Sequence, residues 1–181
     1  EHKIDILCAS FGAESQLANF WLKQTFIPVH LGVKRDKASG TYNLIVTQAL
    51  TKHAQTLNIE MQNAFIQQLP YQLNEFCPHL SIKLLQSIMI SMPDSKITTY
   101  HLQNLNAYCL QQKSYESSLL TLWQCSQNPK LWKQLSSNET KLIWLKIWRK
   151  LSWQECSQIA GLKGRKHAEQ QLRQSFAKLL T

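Results

Sequence analysis

The sequence lacks several features that would assign it to a membrane, secreted or metal-binding class. No apolar run approaches the length of about 20 residues that a membrane span needs. The start, EHKIDILCAS, lacks the basic-then-apolar order of a signal peptide. The five cysteines include no CxxC pair, and the six histidines never pair with cysteines or acids at ligand spacing. We therefore predict reduced thiols, no metal, no membrane and a cytoplasmic location.

Acidic residues are also scarce. There are 11 Asp and Glu against 20 Lys and Arg, which gives a formal net charge of +9 and a pI near 9.4. From Lys141 to the end, nine basic residues face only two acids, Glu155 and Glu169. Such an excess favours a polyanionic partner, and phosphate binding by this region would depend on salt.

The first part of the chain has the patterns of a small sheet with one helix. Short apolar runs predict a buried strand over Lys3–Ala9 and two further strands over Phe26–Val33 and Tyr42–Leu50, with a turn at Ser10–Gly12. Glu14–Gln24 has apolar residues at helical spacing. The last two strands are expected to form an antiparallel hairpin. Three strands and one helix leave an open sheet face, so we expect more of this domain to precede the chain.

After Leu50 the sequence predicts helices only. Thr51–Leu69 has helical spacing and is expected to end at Pro70. The further predicted helices are Leu80–Ser91, roughly Thr98–Gln112 after a cap at Asp94 or Ser95, Tyr115–Ser126, a stretch capped by Ser136 or Ser137, a short helix from the Ser152 cap to Ala160, and Gly164–Leu180. The predicted class is therefore α+β, with part of a mixed sheet and one helix followed by an all-α helical domain.

Two stretches near the ends of the chain carry distinctive motifs. The first comprises Ala9-Ser10-Phe11-Gly12, Leu17, Phe20-Trp21, Phe26, Leu31-Gly32, Arg35 and Ser39-Gly40. The second is the basic ending LKGRKHAEQQLRQSFAKLL, from Leu162 to Leu180. Together they resemble the end of the acetyltransferase module and the C-terminus of the bacterial tRNA(Met) cytidine acetyltransferases.

This resemblance implies that residues 1–50 are the C-terminal portion of a GNAT N-acetyltransferase domain and that residues 51–181 are a basic, tRNA-binding tail domain. It implies an enzyme that acetylates N4 of the wobble cytidine of elongator tRNA(Met), using acetyl-CoA and ATP. The chain has no GxxxxGK[ST] loop and no Gly-rich loop for the CoA pyrophosphate. ATP and its Mg would therefore bind a module outside this sequence. We expect the chain to be inactive without the remainder of its own protein, and no catalytic base can be named.

The predicted helix after the first strand is where the resemblance places part of the acetyl-CoA site. The family has a Glu and, seven residues later, an Arg, and the matching positions here are Gln16 and Lys23. Gln keeps an acceptor without the charge, and Lys keeps the charge without the bidentate fork. Both could equally be solvated positions on an amphipathic helix. Trp21 is expected to lie in the core or against the pantetheine arm.

The loop between the last two strands is a second candidate. Lys34, Arg35 and Lys37 lie where the family has R-E-A-S-S-G, with Asp36 in place of the Glu. In a GNAT fold this hairpin borders the acceptor side, so the three cations are candidates for tRNA phosphates. A solvated hairpin tip would have the same composition.

The basic tail supplies the remaining tRNA-binding candidates, which are Lys146, Arg149, Lys150, Lys163, Arg165, Lys166 and Arg173. We expect Lys146, Arg149 and Lys150 to be exposed and the interleaved Trp144 and Trp148 to be core. Two alternatives stay open: a helix-turn-helix DNA-binding module and a helical domain that only docks the acetyltransferase to its neighbours.

Overall fold

The computed structural model describes residues 4–181 and divides the chain into two compact units. The first unit, called here the sheet unit, ends at Ser91, and the second, called the helical unit, begins at Met92. Lys3, at the start of the predicted first strand, lies outside the described residues. No helix within the described residues is long and apolar enough to cross a membrane.

The sheet unit contains strands β1 (Ile6–Gly12), β2 (Ile27–Leu31) and β3 (Asn43–Ala49), with helix α1 (Ser15–Lys23) between β1 and β2. The sheet order is β1-β3-β2, and both strand pairs are antiparallel. The predicted hairpin of β2 and β3 is therefore confirmed. A register shift between Pro28 and His30 marks a bulge in β2, which suits a proline on an edge strand because it cannot donate to the ladder.

The prediction of a buried first strand is wrong, because β1 lies at the sheet edge and none of its seven residues is buried. The predicted turn at Ser10–Gly12 is also wrong, since these residues pair with β3 up to Gly12. The central strand β3 carries the buried side chains instead, with Leu44 and Val46 fully buried. Apolar composition alone does not distinguish a central strand from an edge strand.

Two helices complete the sheet unit, α2 (Lys52–Glu75) and α3 (Ile82–Ile90). Thr51 caps α2 by accepting a hydrogen bond from the Ala54 N–H. The predicted end at Pro70 is wrong, because α2 continues through this proline to Glu75. Leu69 and Leu73, on either side of Pro70, are fully buried, so apolar burial offsets the backbone hydrogen bond that a proline removes.

The helical unit consists of α4 (Thr99–Cys109), α5 (Leu119–Ser126), α6 (Pro129–Gln134), α7 (Ser137–Ile143), α8 (Trp153–Ala160) and α9 (Gly164–Ala177). A 3₁₀ turn over Glu116–Ser118 precedes α5, and a π-turn over Trp144–Trp148 follows α7. Trp132, Leu142, Leu172 and Phe176 are fully buried in its core.

Capping explains where several of these helices begin. The predicted caps Ser136 and Ser152 are confirmed, and each forms a reciprocal capping box with the Glu three residues later. The predicted cap at Asp94 or Ser95 is wrong. Thr98 caps α4 instead, with the His101 ring completing the box.

The α+β class is confirmed, and within residues 4–181 no strand follows Ala49. The boundary between the two units follows Ser91, whereas the last strand ends at Ala49. The difference arises because the helices α2 and α3 belong to the sheet unit. Residues 1–50 as the end of an acetyltransferase domain and 51–181 as a tail domain stay a prediction.

Candidate functional site

The hairpin loop between β2 and β3 is held by its own side chains. The Asp36 carboxylate accepts hydrogen bonds from the Ala38 N–H, the Ser39 N–H and the Ser39 hydroxyl. These bonds, led by the Ser39 backbone, lower the pKa of Asp36. The Arg35 Nε donates to the Gly40 carbonyl at 2.6 Å. Gly40 has a φ of 68°, a region that glycine adopts without strain.

The other two loop cations remain available for a ligand. Lys34 and Lys37 are exposed, and neither side chain has a hydrogen-bond or ion-pair partner in the described part of the chain. Of the three predicted phosphate contacts in this loop, Arg35 therefore has a structural bond within the turn, and the two lysines do not.

On α1, Gln16 and Lys23 are both exposed, and neither side chain has a partner within residues 4–181. Seven residues place them about 10 Å apart along the helix. Gln16 lines a cleft of about 420 Å³ at the start of α1, which Gly40, Tyr42 and His79 also line, whereas Lys23 does not line it. The structure therefore does not bring the two residues to one cleft.

Trp21, near the end of α1, lies in an aromatic cluster. Its ring is 4.8 Å from the ring of Phe26 and 5.3 Å from that of Phe20, both edge to face. Trp21 is half-buried, whereas Leu17 and Phe20 on the same helix are 40% and 54% exposed. The apolar face predicted for this helix is thus only partly covered by the described residues.

In the helical unit, two of the predicted tRNA-binding cations direct their donors into the protein. Arg173 is 12% exposed, pairs with Glu169 at 2.6 Å and donates to the backbone carbonyls of Tyr108 and Lys113. Its guanidinium lies 4.0 Å from the centre of the Tyr108 ring. Its donors are thus directed into the protein.

Lys146 is the second cation whose donors are directed into the protein. The prediction that it is exposed is wrong. It is only 8% exposed, and its Nζ donates to the Leu151 carbonyl at 2.7 Å. The ammonium lies 5.0 Å and 4.6 Å from the rings of Tyr115 and Trp153. Burial lowers the pKa of Lys146. The π-turn explains this position, because the Arg149 N–H reaches back five residues to the Trp144 carbonyl and shifts the helical register.

Arg165, at the start of α9, is exposed but has acidic partners. It forms an ion pair with Glu116 at 3.1 Å and approaches Glu169 at 3.9 Å. Its guanidinium carbon lies 5.8 Å from the centre of the Trp153 ring. The two carboxylates offset its charge.

Among the predicted tRNA contacts of the tail, the exposed cations without a partner are Lys150, Lys163 and Lys166. None of their side chains forms a hydrogen bond or ion pair with the described residues. Lys150 has a left-handed φ of 54° in the turn before α8. The prediction that Arg149 is exposed is also wrong, because it is half-buried and its Nε is buried without a hydrogen-bond partner among the described residues. The three lysines are therefore the best-placed phosphate contacts of the tail.

Between α8 and α9 lies a cleft of about 450 Å³. Trp153 and Leu162 form its apolar wall, and Gln154, Gln158 and Arg165 also line it. Gly161 ends α8 with a φ of 68°, which lets the chain turn directly into α9. No sequence pattern predicted this cleft. The Gly161 turn was its only signal, because the cleft depends on how closely two helices approach.

The tryptophans of the tail lie in the core, as expected. Trp144 and Trp148 are 2% and 3% exposed, and the Trp148 ring lies 5.0 Å from that of Trp123 and 6.3 Å from that of Trp132. Neither ring is available to stack on a base. Trp153, at 9% exposed, lines the α8–α9 cleft, and the Lys146 ammonium lies over its ring.

All five cysteines are free. Burial raises the pKa of Cys77 and Cys109 to about 11 and that of Cys125 to about 12, so these thiols stay protonated at neutral pH. Among the described residues, no three His, Cys, Asp or Glu side chains are grouped so that they could hold a metal ion.

No protein-family model matches the sequence. Individual proteins are nevertheless similar to the chain. The tRNA(Met) cytidine acetyltransferase TmcA of Nitrosococcus halophilus is 29% identical over 98% of this chain, and TmcA of Vibrio cholerae is 27% identical over 99% of it. The chain resembles the tRNA(Met) cytidine acetyltransferases. The resemblance found in the motifs is thus confirmed over nearly the whole length, including the helical middle that carries no motif.

The chain spans about a quarter of the length of these two TmcA proteins. A shorter match, to TmcA of Haemophilus influenzae, is 34% identical over 73 residues, or 40% of this chain. The names of these relatives describe acetyltransferases that act on tRNA(Met). The roles of the individual cations and of α1 stay predictions.

Proposed function

We propose that this chain is the C-terminal part of a cytoplasmic enzyme that acetylates N4 of the wobble cytidine of elongator tRNA(Met), using acetyl-CoA and ATP. The similarity to TmcA proteins over 98–99% of the chain is the observation that carries this proposal. In this proposal, the sheet unit contributes part of the acetyltransferase fold and the helical unit binds tRNA. The remainder of the protein supplies the ATP site and the rest of the acetyl-CoA site.

The distribution of charge supports a tRNA-binding role for the helical unit. Thirteen of the 20 Lys and Arg residues, but only five of the 11 acids, lie after Ser91. Glu139 and Glu155 are occupied in capping boxes, and Glu116 and Glu169 pair with arginines. The exposed lysines of this unit without a partner in the described chain, Lys96, Lys133, Lys150, Lys163 and Lys166, therefore leave positive charge free for phosphate.

For acetyl-CoA, this chain offers an incomplete donor set. Lys23 presents one unpaired cation and Gln16 one amide, on the same helix but not in one cleft. The anionic end of acetyl-CoA calls for several converging donors, as at the start of a phosphate-binding helix. These two residues fit an edge of such a site and not a whole one. We therefore expect the isolated chain to form no N4-acetylcytidine when it is supplied with tRNA, acetyl-CoA and ATP.

The test of the tRNA-binding role is a titration of fluorescent elongator tRNA(Met) at several salt concentrations. Changing Lys150, Lys163 and Lys166 together to Gln should lower the slope of log K against log salt by about 0.7 to 0.9 for each phosphate that is no longer neutralised. The matched control changes Lys34 and Lys37 to Gln, and its slope should fall less. An unchanged affinity and slope in the triple variant, with circular dichroism showing a native fold, would contradict the proposed tail surface.

One observation favours the helix-turn-helix alternative. The short helix α8, the Gly161 turn and the basic helix α9 have the order of a DNA-binding helix pair. Competition between tRNA and duplex DNA of equal charge, at one salt concentration, separates the two functions. Preferential tRNA binding supports the enzyme, preferential DNA binding supports the alternative, and binding of neither supports a docking domain.

A further inference from the structure

The cleft between α8 and α9 combines an apolar wall, a polar rim and neighbouring positive charge. Trp153 and Leu162 supply the apolar wall. Its volume of about 450 Å³ falls in the range of about 300–1,000 Å³ that small-molecule sites occupy. The size and lining thus suit one flat, partly polar group and not an extended helix.

The rim of the cleft offers hydrogen-bonding groups without net charge. Gln154 and Gln158 are one helical turn apart on α8, line the cleft and are exposed, and neither amide has a partner within residues 4–181. Each amide has both donors and an acceptor free. A nucleobase presents the matching pattern, an apolar face and an edge of mixed donors and acceptors.

Arg165 closes the cleft at the start of α9. Its guanidinium carbon lies 5.8 Å from the centre of the Trp153 ring, with the carboxylates of Glu116 and Glu169 at 3.1 Å and 3.9 Å from its nitrogens. Because two carboxylates offset its charge, Arg165 contributes a flat stacking surface more than a free cation. Aromatic rings and guanidinium planes are the surfaces on which proteins stack unpaired RNA bases.

The positive charge is supplied by the neighbours of the cleft residues. Lys163 lies between the lining residues Leu162 and Gly164, and Lys166 follows Arg165. Both are exposed and unpaired in the described chain. They can meet the phosphate on either side of a nucleotide whose base enters the cleft, and this charge complementarity favours a nucleic acid over an uncharged ligand.

We propose that the α8–α9 cleft binds one unpaired nucleotide of RNA, with its base against Trp153, Leu162 and the Arg165 plane, its edge at Gln154 and Gln158, and its phosphates at Lys163 and Lys166. This inference rests on the proposed tRNA binding and adds to it a pocket that depends on the base. A duplex keeps its bases stacked and paired, so the cleft selects a loop or a single strand.

The test compares two RNA oligonucleotides of equal length and charge, one with bases and one abasic, titrated against the intact chain by fluorescence anisotropy. The abasic strand should bind at least about fivefold more weakly, since stacking one base on an aromatic side chain is worth about 1–3 kcal/mol. Gln158→Leu, which removes one rim amide without adding a ring or a charge, should reduce this ratio to below about twofold. Gln174→Leu makes the same change at an exposed position of α9 outside the cleft lining and should leave the ratio unchanged.

The possible outcomes separate this inference from the proposed function. Equal binding of both strands, with normal tRNA affinity, overturns the nucleotide cleft and leaves tRNA binding by charge. A preference for bases that Gln158→Leu does not reduce places the base-binding site elsewhere and also overturns the inference. Failure to bind tRNA or either strand overturns both. Tighter binding of duplex DNA than of either RNA assigns the cleft to the helix-turn-helix alternative.

Discussion

Replacing Arg173 by Met tests whether this arginine holds the fold or binds tRNA. Methionine keeps much of the apolar stem and removes the guanidinium. The Glu169 carboxylate, 20% exposed, would lose its 2.6 Å partner, and the carbonyls of Tyr108 and Lys113 would lose a charged donor. The Tyr108 ring would also lose the cation that lies over its face.

The expected cost follows from the burial of this pair. Removing one member of a buried ion pair costs about 3–5 kcal/mol, because the other charge is left without compensation. Arg173 is 12% exposed and Glu169 is 20% exposed, so water recovers part of this loss. We therefore expect the free energy of unfolding to fall by about 3 kcal/mol. Glu169→Gln added to Arg173→Met should recover part of it, because the side chain that has lost its 2.6 Å partner is then neutral.

The assay is urea unfolding followed by far-ultraviolet circular dichroism, combined with the tRNA titration. Lys166→Met is the matched control, and at this exposed site it should change stability by no more than about 0.5 kcal/mol while lowering the salt slope by about 0.8. Arg173→Met should instead lower the stability and leave the salt slope unchanged. If Arg173→Met keeps wild-type stability and its slope of log K against log salt falls by about 0.8, then Arg173 contacts phosphate and its internal bonds are dispensable.

Two further predictions concern local structure in the helical unit, at Gln111 and at Glu139. Gln111 has a φ of 63° after α4 and is exposed; Gln111→Gly should raise the free energy of unfolding in urea by up to about 1 kcal/mol, whereas Gln170→Gly within α9 should lower it by about as much. Although burial opposes the shift, hydrogen bonds from Lys178 and Ser136 lower the pKa of Glu139. A lowered folded-state pKa gives stability that is present above the unfolded value, about 4.3, and is lost as the pH falls below it. Glu139→Gln should therefore flatten the decline in urea midpoint between about pH 5 and pH 3, and an unchanged decline would refute the assignment.

Local sequence signals predicted the elements that depend on local chemistry. The capping boxes at Ser136 and Ser152 and the glycine end of α8 follow from side chains within four residues of each other. The class, α+β with helices only after the last strand, follows from the change in apolar spacing near Leu50.

The wrong predictions in the helices concern positions where packing overrides a local rule. A proline normally ends a helix, but Leu69 and Leu73 are buried on both sides of Pro70 and α2 continues. Ideal helical spacing places Lys146 on the outer face, but the π-turn directs it inward. The α8–α9 cleft could not be predicted, because its walls come from side chains whose proximity depends on tertiary structure.

The π-turn over Trp144–Trp148 has a consequence for how this protein tolerates changes in length. A π-turn spans one residue more per hydrogen bond than an α-helix, so a one-residue deletion here would return the segment to α-helical bonding and change which of its side chains face the core. It would remove the Lys146 bond to the Leu151 carbonyl and displace Trp148 from its neighbouring rings. Insertions and deletions should therefore accumulate in exposed loops such as residues 34–41, while the spacing between α7 and α8 stays fixed.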